Sequence, residues 1–96
     1  MKITDLIWLT RFVEKIERKH GVSTDEVEQA FTNHPQIRLI ERGDVGGENL
    51  YRAIGQTDGG RYLAVFFIYK GENRALIISA RDTSAGEQRS YGKHKK

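Results

Sequence analysis

The run Tyr62-Leu63-Ala64-Val65-Phe66-Phe67-Ile68-Tyr69 is apolar on both of its alternating faces, and no other stretch limits the fold so strongly. Successive side chains of a strand point to opposite sides of a sheet, so a strand with no polar side must be covered on both. The run therefore predicts a central strand in a layered domain. Around it, strand-like patterns extend over Ile37 to Glu41, Leu50 to Gly55, Arg61 to Lys70 and Arg74 to Arg81. The breaks are Gly43-Asp44-Val45-Gly46-Gly47, Thr57-Asp58-Gly59-Gly60 and Gly71-Glu72-Asn73. Each is short enough for a hairpin, which predicts a four-stranded antiparallel meander.

Ahead of Pro35 the period is helical. Leu9, Phe12, Val13 and Ile16 recur along one face, opposite Arg11, Glu14, Lys15 and Arg18. Gly21 can take the left-handed conformation that ends this helix, and Val22 stands where the apolar residue of such a stop belongs. Ser23 with Glu26 has capping-box spacing, and Val22 with Val27 has the spacing of a hydrophobic staple. A second helix is thus expected to present Val27, Ala30 and Phe31 to the core and to stop near Asn33-His34-Pro35. A third should begin at Thr83 or Ser84, where Ser84 and Glu87 repeat the capping spacing, and run towards Tyr91. Residues Ile3 to Trp8 read either as a short edge strand or as the lead-in to the first helix. The class is α+β: two N-terminal helices, the sheet, and a C-terminal helix.

A chain of 96 residues builds one core, so residues 1–96 are read as one domain ending in a basic tail, 92–96. No apolar run approaches the length that spans a bilayer, and Lys2, Ile3 and Leu6 lack the apolar core of a signal peptide. With no cysteine there is neither a disulfide framework nor a thiolate metal site. The expected location is the cytoplasm. Formal charge is +3 with a sequence pI of about 9.3, and the excess gathers after Ala80 in Arg81, Arg89, Lys93, His94, Lys95 and Lys96. Such a tail either solubilises the chain or steers phosphate.

The glycine pairs Gly46-Gly47 and Gly59-Gly60 lack the lysine and hydroxyl that complete a phosphate loop, and they read as turns. His20, His34 and His94 show no ligand pair at helical spacing, so no metal and no cofactor is expected. Ser79-Ala80 lacks the glycine context that exposes a nucleophile on an elbow. What remains is arginine. A hairpin turning at Gly71-Glu72-Asn73 brings Arg61, at the start of one strand, beside Arg81, at the end of the next. Two guanidiniums there either hold an anion between them or make ordinary salt bridges to Asp82 or Glu87.

The chain is similar to the BrnT family in carrying Trp8, the turn Lys19-His20-Gly21-Val22-Ser23, Arg61, the strand end Ser79-Ala80-Arg81, and Glu87 with Tyr91 in the last helix. The resemblance covers Trp8 to Tyr91. It implies a RelE-like fold and a toxin of a type II toxin-antitoxin system. The implied activity is metal-independent endoribonuclease cleavage, in which a ribose 2′-hydroxyl attacks the adjacent phosphate. An alternative is a catalytically weak or inactive member that binds the antitoxin as a co-repressor. The candidate catalytic residues are Arg61, Arg81, His20, Tyr91 and Glu48. Trp8, Lys19, Arg52, Arg74 and Arg89 are candidates for RNA contact.

His20 stands equally where a helix-capping group belongs, Tyr91 where a ring packs under the sheet, and Glu48 beside a glycine turn. Arg52 takes the place of an arginine that many members carry shortly after the glutamate preceding the second strand, and Gln88 stands where an arginine commonly follows Glu87. The implied partners are RNA and a BrnA-like ribbon-helix-helix antitoxin, with two toxins on an antitoxin dimer. DNA is reached only through the antitoxin, and no membrane is involved. The Lys19 to Val27 corner and the last helix show no polar face suited to reading bases.

Overall fold

The computed structural model of the chain describes residues 1–44 and 48–95. Its elements are β1 (Asp5–Ile7), α1 (Thr10–His20), α2 (Thr24–Thr32), β2 (Gln36–Glu41), β3 (Leu50–Gln56), β4 (Tyr62–Tyr69), β5 (Arg74–Asp82) and α3 (Ala85–Lys95). The strands form one sheet in the order β1-β5-β4-β3-β2, with the apolar run at its centre. Neighbours from β2 to β5 pair antiparallel as the hairpins predict. The sheet has five strands and not four, because Asp5–Ile7 adds a parallel edge to β5. The turn secures it: Glu72 and Asn73 both take positive φ, and the Asn73 carbonyl accepts the N–H groups of Thr4 and Asp5 at 2.8 and 3.2 Å. α3 runs through Tyr91 as far as Lys95, taking in part of the expected basic tail. Val45, Gly46 and Gly47 of the first expected turn, and Lys96 of the tail, lie outside the described residues.

The α1–α2 corner forms as its sequence dictates. Gly21 sits at φ 60°, its N–H donating to the Glu17 carbonyl at 2.9 Å, and Val22 is buried beneath it. The capping box is complete: the Ser23 hydroxyl accepts from the Glu26 N–H at 3.1 Å, and the Glu26 carboxylate accepts from the Ser23 N–H at 3.1 Å. Losing such a cap costs about 1 kcal/mol.

Register divides the sheet into two unlike faces. Tyr51, Ala53 and Gly55 stand opposite Phe67, Val65 and Leu63, and this face carries the core with Ile16, Val22, Val27 and Ala30 of the helices. Phe67 lies between Phe31, edge-on at 5.5 Å, and Tyr51, stacked at 5.6 Å. Gly55 is required here, because a Cβ would collide with the Ala30 backbone of α2. On the other face α3 covers one end, where Ile54, Ala64 and Tyr91 are fully buried. The remainder of that face, with Leu50, Arg52, Phe66, Ile68, Leu76 and Ile78, is only half-buried.

Candidate functional site

Arg61 and Arg81 reach the same end of the sheet, as the hairpin requires, yet their side chains leave it on opposite faces. The cause is a β-bulge. Up to Phe67↔Ile77 the β4–β5 register would set Arg81 across from Leu63, on the core face, but between Phe67 and Phe66 it shifts by one residue, at Ile78. A one-residue shift in a strand exchanges its faces. Arg81 therefore pairs with Ala64 and Asp82 with Leu63. Of the two arrangements the hairpin allows, the guanidiniums do not share one anion; they make separate salt bridges, Arg61 to Asp82 and Arg81 to Glu87.

On the helical face, Arg61 is inserted into the α1–α2 corner. Its Nε donates to Asp82 at 2.7 Å, Nη1 to the Gly21 carbonyl at 2.9 Å and to Glu26 at 3.2 Å, and Nη2 to the His20 carbonyl at 2.9 Å and to Asp82 at 3.2 Å. A guanidinium has five N–H donors, and all are engaged. The group satisfies the orphan carbonyls that end α1 while tying the corner to the sheet. Hydrogen bonding to Arg61 holds the Asp82 carboxyl below its ordinary range, and the Ser23 N–H, with help from Arg61, does the same for Glu26.

On the open face, Arg81 meets Glu87 through a two-pronged ion pair, Nη1 to Oε1 at 2.7 Å and Nη2 to Oε2 at 3.0 Å. Arg52 approaches the same carboxylate, Nη1 to Oε2 at 3.4 Å, and its Nε is buried with no partner among the described residues. Glu87 also accepts from the Ser84 N–H at 2.8 Å, closing the capping box of α3. Its carboxyl is consequently lowered to about 2, chiefly by Arg81, with Ser84 and Arg52 adding to the effect. The Arg81 guanidinium lies over the Phe66 ring at 5.3 Å. The row across the sheet reads Arg38, Arg52, Phe66, Ser79.

Arg38, exposed and directly opposite Arg52, escaped sequence reasoning. A turn centred on residue 45 would have placed it there, since positions 38 and 52 are equidistant from that centre. Like charges directly opposed in a sheet repel unless an anion joins them. Arg52 and Arg81 share one carboxylate, Glu87.

The other expected site residues are dispersed. Tyr91 is fully buried: it stands edge-on to Tyr62 at 6.0 Å and donates its hydroxyl to the Asn33 carbonyl at 3.1 Å. Burial, with Tyr62 beside it, pushes its pKa up. His20 is exposed at the end of α1 with its carbonyl on Arg61, and Lys19 is exposed beside it. Trp8 packs on the helical side, in a cleft of about 410 Å³ with Leu6, Glu28 and Phe31.

Arg74 caps the β4–β5 turn by donating to the Gly71 and Lys70 carbonyls, at the opposite end of β5 from Arg81. Glu48 is exposed near Lys70 at 3.8 Å and lines a cleft of about 360 Å³ with Leu50, Ile68 and Ile78. Arg89 is exposed on α3. Among the described residues no three His, Asp or Glu side chains gather as a metal site would require, and no helix is long and apolar enough to cross a membrane.

The fold and the site together define a small α+β domain with one sheet face closed by helices and the other left partly open and rich in arginine. The BrnT family profile, that of the ribonuclease toxin BrnT of type II toxin-antitoxin systems, matches residues 13–87, and the chain belongs to this family. Among solved structures, the crystal structure of the Brucella abortus ribonuclease toxin BrnT is similar at TM-score 0.59 and 24% identity, over 84% of this chain and 99% of that one. That likeness is one of fold. Comparison with curated proteins gives no match. Membership of a toxin family of this kind implies ribonuclease activity, an RNA substrate and an antitoxin partner.

Proposed function

We propose that this chain is a cytoplasmic endoribonuclease toxin that binds and cuts RNA on the open face of its sheet, without a metal. The carrying observation is the Arg52–Glu87–Arg81 cluster beside Phe66. Guanidiniums present planar donor forks that fit a phosphodiester, and Phe66 supplies a ring on which a base can stack. In the reaction the 2′-oxygen bonds to phosphorus, the bond from phosphorus to the 5′-oxygen breaks, and the 2′-proton leaves as the 5′-oxygen gains one. The products are a 2′,3′-cyclic phosphate and a 5′-hydroxyl. Arg81 and Arg52 stabilise the charge that develops on the phosphoryl oxygens. Arg61 holds the α1–α2 corner.

An antitoxin of the BrnA-like ribbon-helix-helix type would neutralise the toxin by covering this face, two toxins to an antitoxin dimer, and would carry any contact to DNA. The purified chain is expected to cleave RNA in the presence of a chelator and to leave cyclic phosphate ends, read by end-labelling. Strict dependence on added divalent metal would reject the mechanism. A second reading, a weakly active member that acts with its antitoxin as a co-repressor, draws support from the burial of Tyr91 and from Glu87 already occupying both arginines. Antitoxin binding without any RNA cleavage would favour it.

A further inference from the structure

We infer that Glu87 is a resident anion seated where an RNA phosphate binds, so that substrate enters by displacing it from Arg81 and Arg52; this rests on the RNA reading above. The carboxylate matches the role in geometry, with both oxygens on Arg81 at 2.7 and 3.0 Å and one shared with Arg52 at 3.4 Å. A phosphodiester offers two unesterified oxygens to the same donors. The seat has capacity beyond what Glu87 uses, since Arg52 Nε is buried without a partner and Arg38 stands opposite Arg52 with no ion pair among the described residues.

The anion is also on a releasable support. Glu87 belongs to the first turn of α3, which is held by the Ser84 hydroxyl at 3.2 Å and contains Gly86, a residue that weakens a helix interior. An apparent affinity falls by the fraction of molecules in which the seat is open, so a resident carboxylate lowers RNA affinity and its removal raises it.

The test is the binding of a short oligoribonucleotide carrying 2′-O-methyl groups, which lacks the attacking hydroxyl. Relative to the unmodified chain, Glu87→Gln is expected to bind roughly tenfold more tightly, whereas Arg81→Ala binds more weakly. Gln retains an acceptor for the Ser84 N–H, and Ser84→Ala, which loosens the turn while keeping the carboxylate, should also bind more tightly, by about twofold. If Glu87→Gln does not fold, Ser84→Ala decides alone. Unchanged or weaker binding by these variants, with binding still dependent on Arg81, would overturn the resident-anion role and leave the RNA site standing. Binding that does not depend on Arg81 would overturn the RNA reading itself.

Discussion

Arg61 and Arg81 stand at one end of one sheet, and the contrast between them separates what holds this molecule together from what it offers to a ligand. Arg61 faces the helices with every donor engaged, by two backbone carbonyls and two carboxylates on three different segments. Arg81 faces the open side with one carboxylate and one backbone carbonyl, that of its neighbour Asp82 at 3.0 Å, next to an aromatic ring and a second arginine. The residue type is the same, and its surroundings decide whether it is a rivet or a receptor. A cation whose donors are all used can bind phosphate only by breaking the structure, whereas one held by a displaceable anion can exchange it.

The largest effect that would break this contrast concerns cleavage. Arg81→Ala is expected to lower the rate per folded molecule roughly 10²-fold or more, beside a loss of stability from its broken ion pair with Glu87. A rate per folded molecule within about threefold of the unmodified chain, with kinetics and calorimetry on one preparation, would make Arg81 another rivet. Arg61→Ala should lose stability alone. Removing hydrogen bonds from a charged group costs about 1.5–3 kcal/mol, reduced here because the side chain is 29% exposed, so a loss of about 1–2 kcal/mol and several degrees is expected. Cleavage per folded molecule should stay within about threefold; a larger fall would return Arg61 to the chemistry.

Acid stability sharpens the comparison further. The Glu87 carboxyl is lowered in the folded chain to about 2 from 4.5, so its contribution is fully present above pH 4.5 and is lost as pH falls towards 2. With its side chain 10% exposed, the contribution is at most about 3 kcal/mol. Asp82 and Glu26, lowered in the same direction, add to the same acid limb. Denaturant titrations from pH 5 down to pH 2.5 should show Glu87→Gln losing stability less steeply than the unmodified chain. Parallel slopes would show that the Arg81 pair contributes nothing measurable.

The parts legible in the sequence are those determined locally. Gly21 to Glu26 encodes the corner through a left-handed stop and a capping box, both satisfied by residues within six positions of each other. Tyr62–Tyr69 declared its central place because only a strand covered twice tolerates apolar side chains on both faces. β1 is not fixed by its own residues, because three of them show no period and its partner, β5, lies far along the chain.

The site was half legible. The sequence marks Glu87, Arg52 and Arg81, but the bulge at Ile78 that decides which face Arg81 occupies has no signature in residue type. Without that shift the anion-binding pair read from the hairpin would have shared a face. Tyr91 reads as a catalyst or as a packing ring, and its burial against Tyr62 with its hydroxyl on the Asn33 carbonyl depends on partners far along the chain.

The central claim, that ligand binds on the Arg81 side of the sheet and not on the Arg61 side, is tested most directly by chemical-shift mapping. The ¹⁵N-labelled chain, including its arginine Nε–H signals, would be titrated with the 2′-O-methyl oligoribonucleotide. Shifts are expected at Arg52, Phe66, Ser79, Arg81 and Glu87, with His20, Gly21 and Arg61 unmoved. Shifts centred on His20, Gly21 and Arg61, with Arg81 and Glu87 silent, would contradict it.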